Sequence, residues 1–143
     1  MKSSTRNQFQ GTVTSMDVAP VTAQVVIALS TGQEIVATMT RAAAERLKLK
    51  VGVPAIALIK ASQIALITDF DGYVLSARNQ FAGTVSRIER GAVNSRVTVS
   101  VPGGAAFTAS VTNDAVDELG LKPGAAATAV FKAYSVMVAA KPF

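Results

Sequence analysis

Two pairs of short clusters in this chain carry groups that could hold a small anion. Ser4-Thr5-Arg6-Asn7 is followed later by Lys60-Ala61-Ser62, and Ser76-Ala77-Arg78-Asn79 by Lys132-Ala133-Tyr134-Ser135. Hydroxyls and amides supply hydrogen-bond donors, and Lys and Arg supply charge. Small neighbours such as Ala61 and Ala133 let the main chain come close, so that exposed N–H groups can form an anion-binding concavity. A fully ionised tetrahedral dianion accepts hydrogen bonds and donates none. A pocket lined with donors and free of carboxylates would select it. The plainer alternative stays open at this point: Arg6, Asn7, Arg78 and Asn79 as turn caps, with Lys60 and Lys132 as ordinary surface lysines.

Composition narrows the chemistry. The chain has no Cys and no His, so zinc, copper and iron sites lack their usual ligands. Serine–histidine and cysteine–histidine catalysis are excluded on the same ground. The carboxylates Asp17, Glu34, Asp69, Glu89 and Asp114 are scattered and mostly do not recur at matching positions; Asp17 and Glu89 do align, in a turn. No catalytic pair is visible, and the expectation is a protein that is not an enzyme. The net charge of +5 suits an anionic partner. Met1–Gln10 is polar, and the apolar run Val53–Ile67 is broken by Lys60, Ser62 and Gln63. A cytoplasmic protein without a membrane span is expected.

The clusters recur because the chain is a duplication. The spacing between Arg6 and Arg78 is 78 − 6 = 72, and a shift of 72 aligns the two halves without a gap. About a third of the aligned positions are identical, among them Val13/Val85, Gly32/Gly104, Leu47/Leu119 and Gly52/Gly124. The expected organisation is residues 1–69 as a first domain, 70–75 as a short linker and 76–143 as a second domain. A unit of about 70 residues buries only about 60% of its unfolded surface. With half of all residues hydrophobic and 16% charged, contacts between halves or between subunits are expected.

Each half reads as the same series of elements. Phe9–Ser15 and Phe81–Ile88 alternate as half-buried strands, with Gly11 and Gly83 marking a bulge or bend. Strands Ala23–Leu29 and Ser95–Val101 run through hairpin turns at Ser30-Thr31-Gly32 and Pro102-Gly103-Gly104 into Glu34–Met39 and Ala106–Val111. Short helices follow over Arg41–Leu49 and Asp114–Leu121. Thr40 and Asn113 are the expected N-caps, and Leu47 and Leu119 are expected to face the core. Each half closes with two apolar strands, Pro54–Lys60 with Gln63–Ile67, and Ala126–Lys132 with Ser135–Ala139. The fold class is therefore all-β with one short helix per repeat: two tandem OB-like five-stranded barrels.

The motifs Ser76-Ala77-Arg78-Asn79-Gln80-Phe81-Ala82-Gly83, Gly91-Ala92-Val93-Asn94, Thr112-Asn113 with Glu118-Leu119-Gly120-Leu121, and Lys132-Ala133-Tyr134-Ser135-Val136-Met137 resemble the molybdate-binding Mop domain of the molbindins. Ser4–Gly11 and Lys60-Ala61-Ser62 match it more loosely. Two such units resemble the di-Mop form. The same pair also occurs as the sensing half of a molybdate-dependent transcription regulator and as the tail of the molybdate transporter's ATPase, but no helix-turn-helix or Walker motif is found here.

The resemblance implies an intracellular store or buffer of molybdate, and of tungstate, assembled as a homotrimer with its anions held between units. Carried over by position, the contacts fall on Ser4, Thr5, Arg6, Asn7, Lys60, Ala61 and Ser62, and on Ser76, Ala77, Arg78, Asn79, Lys132, Ala133 and Ser135. A second type of site in the family falls on Gly91, Ala92, Val93 and Asn94, or on Ala19, Pro20, Val21 and Thr22. Molybdate or tungstate would be a bound ligand, with no catalytic cofactor. Tyr134 stands where copy one has Ser62, and Ala19–Thr22 lacks the leading glycine, so the copies are not expected to be equivalent. The competing readings are an OB-type nucleic-acid-binding module and a ligand-free assembly protein. The first needs exposed aromatics for base stacking. Only 6% of residues are aromatic, so no nucleic-acid partner is expected.

Overall fold

The computed structural model describes residues 1–143 and is almost wholly β. The first half contains β1 (Asn7–Val18), β2 (Thr22–Leu29), β3 (Glu34–Thr40), α1 (Arg41–Arg46), β4 (Pro54–Ile59) and β5 (Ala65–Ile67). The second contains β6 (Asn79–Arg90), β7 (Asn94–Ser100), β8 (Ala106–Thr112), α2 (Asn113–Glu118), β9 (Ala126–Phe131) and β10 (Met137–Ala139). Single 3-10 turns, Ala61–Gln63 and Ala133–Ser135, fill the breaks before β5 and β10. No helix is long and apolar enough to cross a membrane.

The compact units are cut differently from the sequence repeats. Unit 1 comprises Met1–Ile59 and Lys132–Phe143, and unit 2 comprises Lys60–Phe131. Unit 1 holds one five-stranded sheet in the order β10-β4-β1-β2-β3, and unit 2 holds another in the order β5-β9-β6-β7-β8. The expected pairing of the last two strands within a copy does not occur. β10 pairs with β4 and β5 with β9, so each copy lends its final strand to the other unit. The cause is local. Lys60-Ala61-Ser62 and Lys132-Ala133-Tyr134 form an extended residue and a 3-10 turn, not the two-residue hairpin that would fold the chain back on itself. In unit 1, Ala133–Ser135 packs on β3, the far edge of its sheet, and in unit 2 Ala61–Gln63 packs on β8. Each sheet is thereby curled towards closure.

The long first strand bends in both units. The register of β1 with β2 shifts between Val13 and Ser15, and that of β6 with β7 between Val85 and Arg87. Thr14 and Ser86 are the extra residues, and their hydroxyls donate to the Val26 and Thr98 carbonyls. These bulges let one strand serve two partners: Asn7–Thr12 pairs with β4, and Gly11–Val18 with β2. The glycines lie three residues before the bulge and have another role. A Cβ on Gly11 would stand 2.5 Å from the Ala28 carbonyl oxygen, and one on Gly83 would overlap that of Ser100. Only a residue without a side chain permits the strands to cross so closely.

The helices start at Thr40 and Thr112, whose hydroxyls accept from the N–H of Ala43 and Ala115 at 3.1 Å. The N-cap of α2 is thus Thr112 and not Asn113, which already lies within the helix. Both helices end three residues earlier than expected. Leu49 N–H reaches Ala44 O, and Lys48 N–H reaches Glu45 O, across the left-handed Lys48. This is a Schellman closure, repeated at Gly120 with Leu121 on Val116. It turns Leu49 and Leu121 into the core. Leu47 remains half-buried and Leu119 is 39% exposed, contrary to expectation.

The cores are aligned position by position but filled differently. Val13, Val25, Ile27, Ile35, Ala37, Ala57 and Ile59 are fully buried in unit 1. In unit 2 the counterparts of Ile35 and Ile59 are Phe107 and Phe131. Phe81 stacks on Phe107 with centroids 4.7 Å apart, and Phe131 lies 5.8 Å from both.

Two outcomes follow for stability. Gly83→Ala and Gly11→Ala force a methyl onto a backbone carbonyl and are expected to destabilise by about 1–3 kcal/mol or more, read as a lowered denaturation midpoint. Phe107→Ala removes the centre of the aromatic cluster and is expected to cost about 3–5 kcal/mol, measured by urea unfolding.

Candidate functional site

The register of each sheet brings the motif residues to one end. Asn7 opposes Ile59 across β1 and β4, and Met137 opposes Leu58 across β4 and β10. The residues before Asn7 and before Met137 therefore leave the sheet of unit 1 at the same end. These are Ser4, Thr5 and Arg6 on one side, and Ala133, Tyr134 and Ser135 on the other. In unit 2, Asn79 opposes Phe131 and Ala65 opposes Val130. Ser76, Ala77 and Arg78 leave at the end where Ala61, Ser62 and Gln63 enter. Within a unit, then, the opening motif shares a sheet end with the lysine of its own copy, Lys60 after Ile59 or Lys132 after Phe131, and with the Ala-led turn of the other copy.

The two asparagines anchor this end. Asn7 and Asn79 are 2% and 1% exposed. The Asn7 side-chain amide donates to the Ile59 carbonyl at 3.1 Å, which satisfies a polar group where the strand begins. Lys60 is the next residue after Ile59, as Lys132 is after Phe131. Arg6, Lys60 and Lys132 are exposed and make no ion pair. By contrast Arg41, Arg87, Arg90 and Arg96 all lie within 4.0 Å of a carboxylate. Behind each lysine stands a 3-10 turn, whose first N–H groups have no acceptor inside the turn. Ser4, Ser62 and Ser76 are exposed, Thr5, Ala61, Ala77 and Ser135 half-buried, and Ala133 buried. This end can supply main-chain and hydroxyl donors beside positive charge, which is suitable equipment for an oxyanion.

The second candidate segments form turns between the first two strands of each unit. Ala19 N–H donates to Thr22 O at 2.8 Å, and Gly91 N–H to Asn94 O at 3.0 Å. The following helix braces both, through Arg41 N–H on Val21 O and Asn113 N–H on Val93 O. Unit 2 has side-chain bracing as well. The Asn113 amide donates to Gly91 O at 2.9 Å and accepts from the Ser95 hydroxyl at 2.5 Å. Arg90 grips Asp117 with two hydrogen bonds of 3.0 Å. That hydrogen bonding and charge hold the Asp117 carboxyl below its ordinary range and the Arg90 guanidinium above its own. A groove of about 380 Å³ opens beside this turn, with Arg90, Asn94, Arg96 and Ser110 in its wall. Ser95 and Arg96 were not singled out from the sequence, and Asn113 was read there as a helix cap and as part of the Thr112-Asn113 motif. The signal for them was present, since their counterparts in copy one are Arg41, Ala23 and Gln24.

The TOBE domain model matches residues 3–66 and again 75–138. The molybdenum transport protein ModE of Herbaspirillum seropedicae is 63% identical over 97% of this chain, which covers 52% of that protein. The molybdenum-pterin-binding protein MopA of Rhodobacter capsulatus is 37% identical over 97% of the chain and 52% of its own length. The chain thus spans about half the length of the curated relatives it matches. A solved structure of the cytoplasmic molybdate-binding protein ModG, with molybdate bound, superposes with a TM-score of 0.95 at 47% identity, covering 99% of this chain and 100% of that one. With its family model matched twice across nearly the whole chain, this protein belongs to the TOBE-domain family, as a tandem pair.

Proposed function

We propose that this chain binds molybdate, and tungstate, reversibly as intact oxyanions, and stores or buffers them without catalysing a reaction. The observation that carries the reading is the likeness to ModG, 47% identical across 99% of the chain and solved with molybdate bound. The site chemistry supports it. Arg6, Lys60 and Lys132 have no carboxylate partner and are free to face a dianion. Ser4, Thr5, Asn7, Ala61 and Ser62, with Ser76, Ala77, Arg78, Asn79, Ala133 and Ser135, supply hydroxyl, amide and main-chain groups around them. With no carboxylate beside these cations, a protonated oxyanion such as hydrogen phosphate would find no ionised acceptor for its proton. The reading includes a homotrimer, in which neighbouring copies of the chain complete the sites.

The relatives' length favours a second reading, in which the chain is the ligand-sensing part of a protein about twice as long. Intact mass of the native protein separates the two, since the chain alone weighs 14.7 kDa. A base-stacking OB module is less well supported: Phe81, Phe107 and Phe131 stack inside unit 2, which leaves Tyr73, Tyr134 and Phe143 as the exposed rings.

Native mass spectrometry with molybdate, and with sulfate and phosphate as controls, tests the proposal. A trimer that gains several molybdates and neither control ion is the expected result. A protein that takes up no molybdate would sink it. Lys60→Ala and Lys132→Ala each remove a charge-assisted contact worth about 1.5–3 kcal/mol. Each is therefore expected to weaken part of the uptake by about ten- to a hundredfold, measured by isothermal titration.

A further inference from the structure

The chain's positive charge is confined to one compact unit. Unit 1 holds eight Lys and Arg against three Asp and Glu, a net 8 − 3 = +5, whereas unit 2 holds six of each and is neutral. Half of the unit 1 cations stand at one end of it. Arg46 is the last residue of α1, and Lys48 and Lys50 follow in the loop to β4. Ala139 pairs with Ile56, so the chain beyond β10 runs on towards the start of β4, and Lys141 and Pro54 line one cavity. Phe143 then reaches Lys48, whose Nζ stands 4.0 Å from the centre of the ring. Arg46, Lys48, Lys50 and Lys141 are all exposed, and none has a carboxylate within 4.0 Å.

At the same end of unit 2 the sign is reversed. A shift of 72 puts Glu118 in the place of Arg46, Gly120 in that of Lys48, Asp69 in that of Lys141 and Asp71 in that of Phe143; Lys122 alone keeps the charge of Lys50. The backbone is equivalent, since Asp69 follows β5 beside β9 as Lys141 follows β10 beside β4. The Asp71 N–H donates to the Asp69 carboxylate at 2.8 Å, which ties the two acids into one turn. Asp69, Asp71 and Glu118 are exposed and join no ion pair. Glu118 is the last residue of α2, where the helix dipole favours a cation and disfavours a carboxylate. Helix stability therefore accounts for Arg46 and not for Glu118. Exposed apolar side chains accompany both ends, Val51 and Phe143 in unit 1 and Leu119 and Tyr73 in unit 2.

We propose that these ends are the two halves of a contact between copies of the chain, in which the basic end of unit 1 in one copy docks on the acidic end of unit 2 in another. Charge complementarity selects the occupant, because two basic or two acidic ends would repel. The contact is heterologous, so it can repeat from copy to copy. It uses the Pro54 end of β4, away from the Ile59 end that carries Lys60, and does not depend on molybdate being the ligand.

Sedimentation velocity of the full chain over a concentration series, at about 0.01 M and about 1 M salt, tests the proposal, since screening shortens from about 30 Å to about 3 Å between them. The mass is expected to rise with concentration at low salt and to fall back to a fixed state at high salt. Arg46→Glu with Lys50→Glu makes both ends acidic, and Glu118→Lys with Asp71→Lys makes both ends basic. Each double variant alone is expected to lose this association by about tenfold or more, and an equimolar mixture of the two to regain a complex. Circular dichroism checks folding, and if a double variant misfolds, Lys50→Glu and Glu118→Lys decide. A wild-type mass that ignores salt and concentration overturns the proposal, as does a mixture of folded variants that regains nothing. A wild-type chain that stays in one state but binds a single-stranded oligodeoxynucleotide through Arg46 and Lys50 overturns it in favour of an outside polyanion.

Discussion

Neither repeat supplies all five strands of a sheet. β4 needs β10 on its outer edge, and β9 needs β5. Left unpaired, each would expose a row of backbone donors and acceptors and the apolar side chains beneath them. Because the two units must exchange their last strands, neither copy completes its own core. A unit of this size is also marginal by its surface-to-volume ratio alone. The exchange carries each Ala61- or Ala133-led turn onto the far edge strand of the unit it joins, so closure of the sheet and arrival of the motif are one event.

The same constraint shapes the candidate anion site. A strand that starts with a buried Asn and is paired in register with the strand before a Lys must end where that Lys emerges. The ladder from Asn7/Ile59 to Thr12/Pro54 sets this alignment, and the Asn7 amide on the Ile59 carbonyl reinforces its end. Arg6, Lys60 and Lys132 at this end have no carboxylate within ion-pair distance. Salt bridges are instead gathered on β6, β7 and the helices, where Arg87, Arg90, Arg96 and Arg41 are compensated.

Duplication has kept the backbone and released some side chains. The bulge, the close glycine, the threonine cap and the Schellman closure recur in both units, because each is a requirement of backbone geometry. Unit 2 has Phe107 and Phe131 where unit 1 has Ile35 and Ile59, and these two rings cluster with Phe81. Beside the turn before β7 stand Ser95, Arg96 and Asn113, where unit 1 has Ala23, Gln24 and Arg41, and Pro20 stands in the unit 1 turn at the position of Ala92. Equal folds therefore carry unequal surfaces.

By itself the sequence determined the repeat, the order and period of the strands and the hairpin glycines, and it nominated the residues proposed to bind an oxyanion. All of these are written in spacings of fewer than about ten residues or in the fixed shift of 72. It placed Asn113 as a cap and Leu47 and Leu119 in the core, because periodicity does not reveal which Thr adopts extended backbone or where a left-handed residue ends a helix. Tertiary structure alone decided which strand closes which sheet. The alternation of β5 or β10 fits either sheet equally well, since duplicated strands present the same pattern. The choice lies in a 3-10 turn that directs the chain away from its own sheet, and in the packing that receives it.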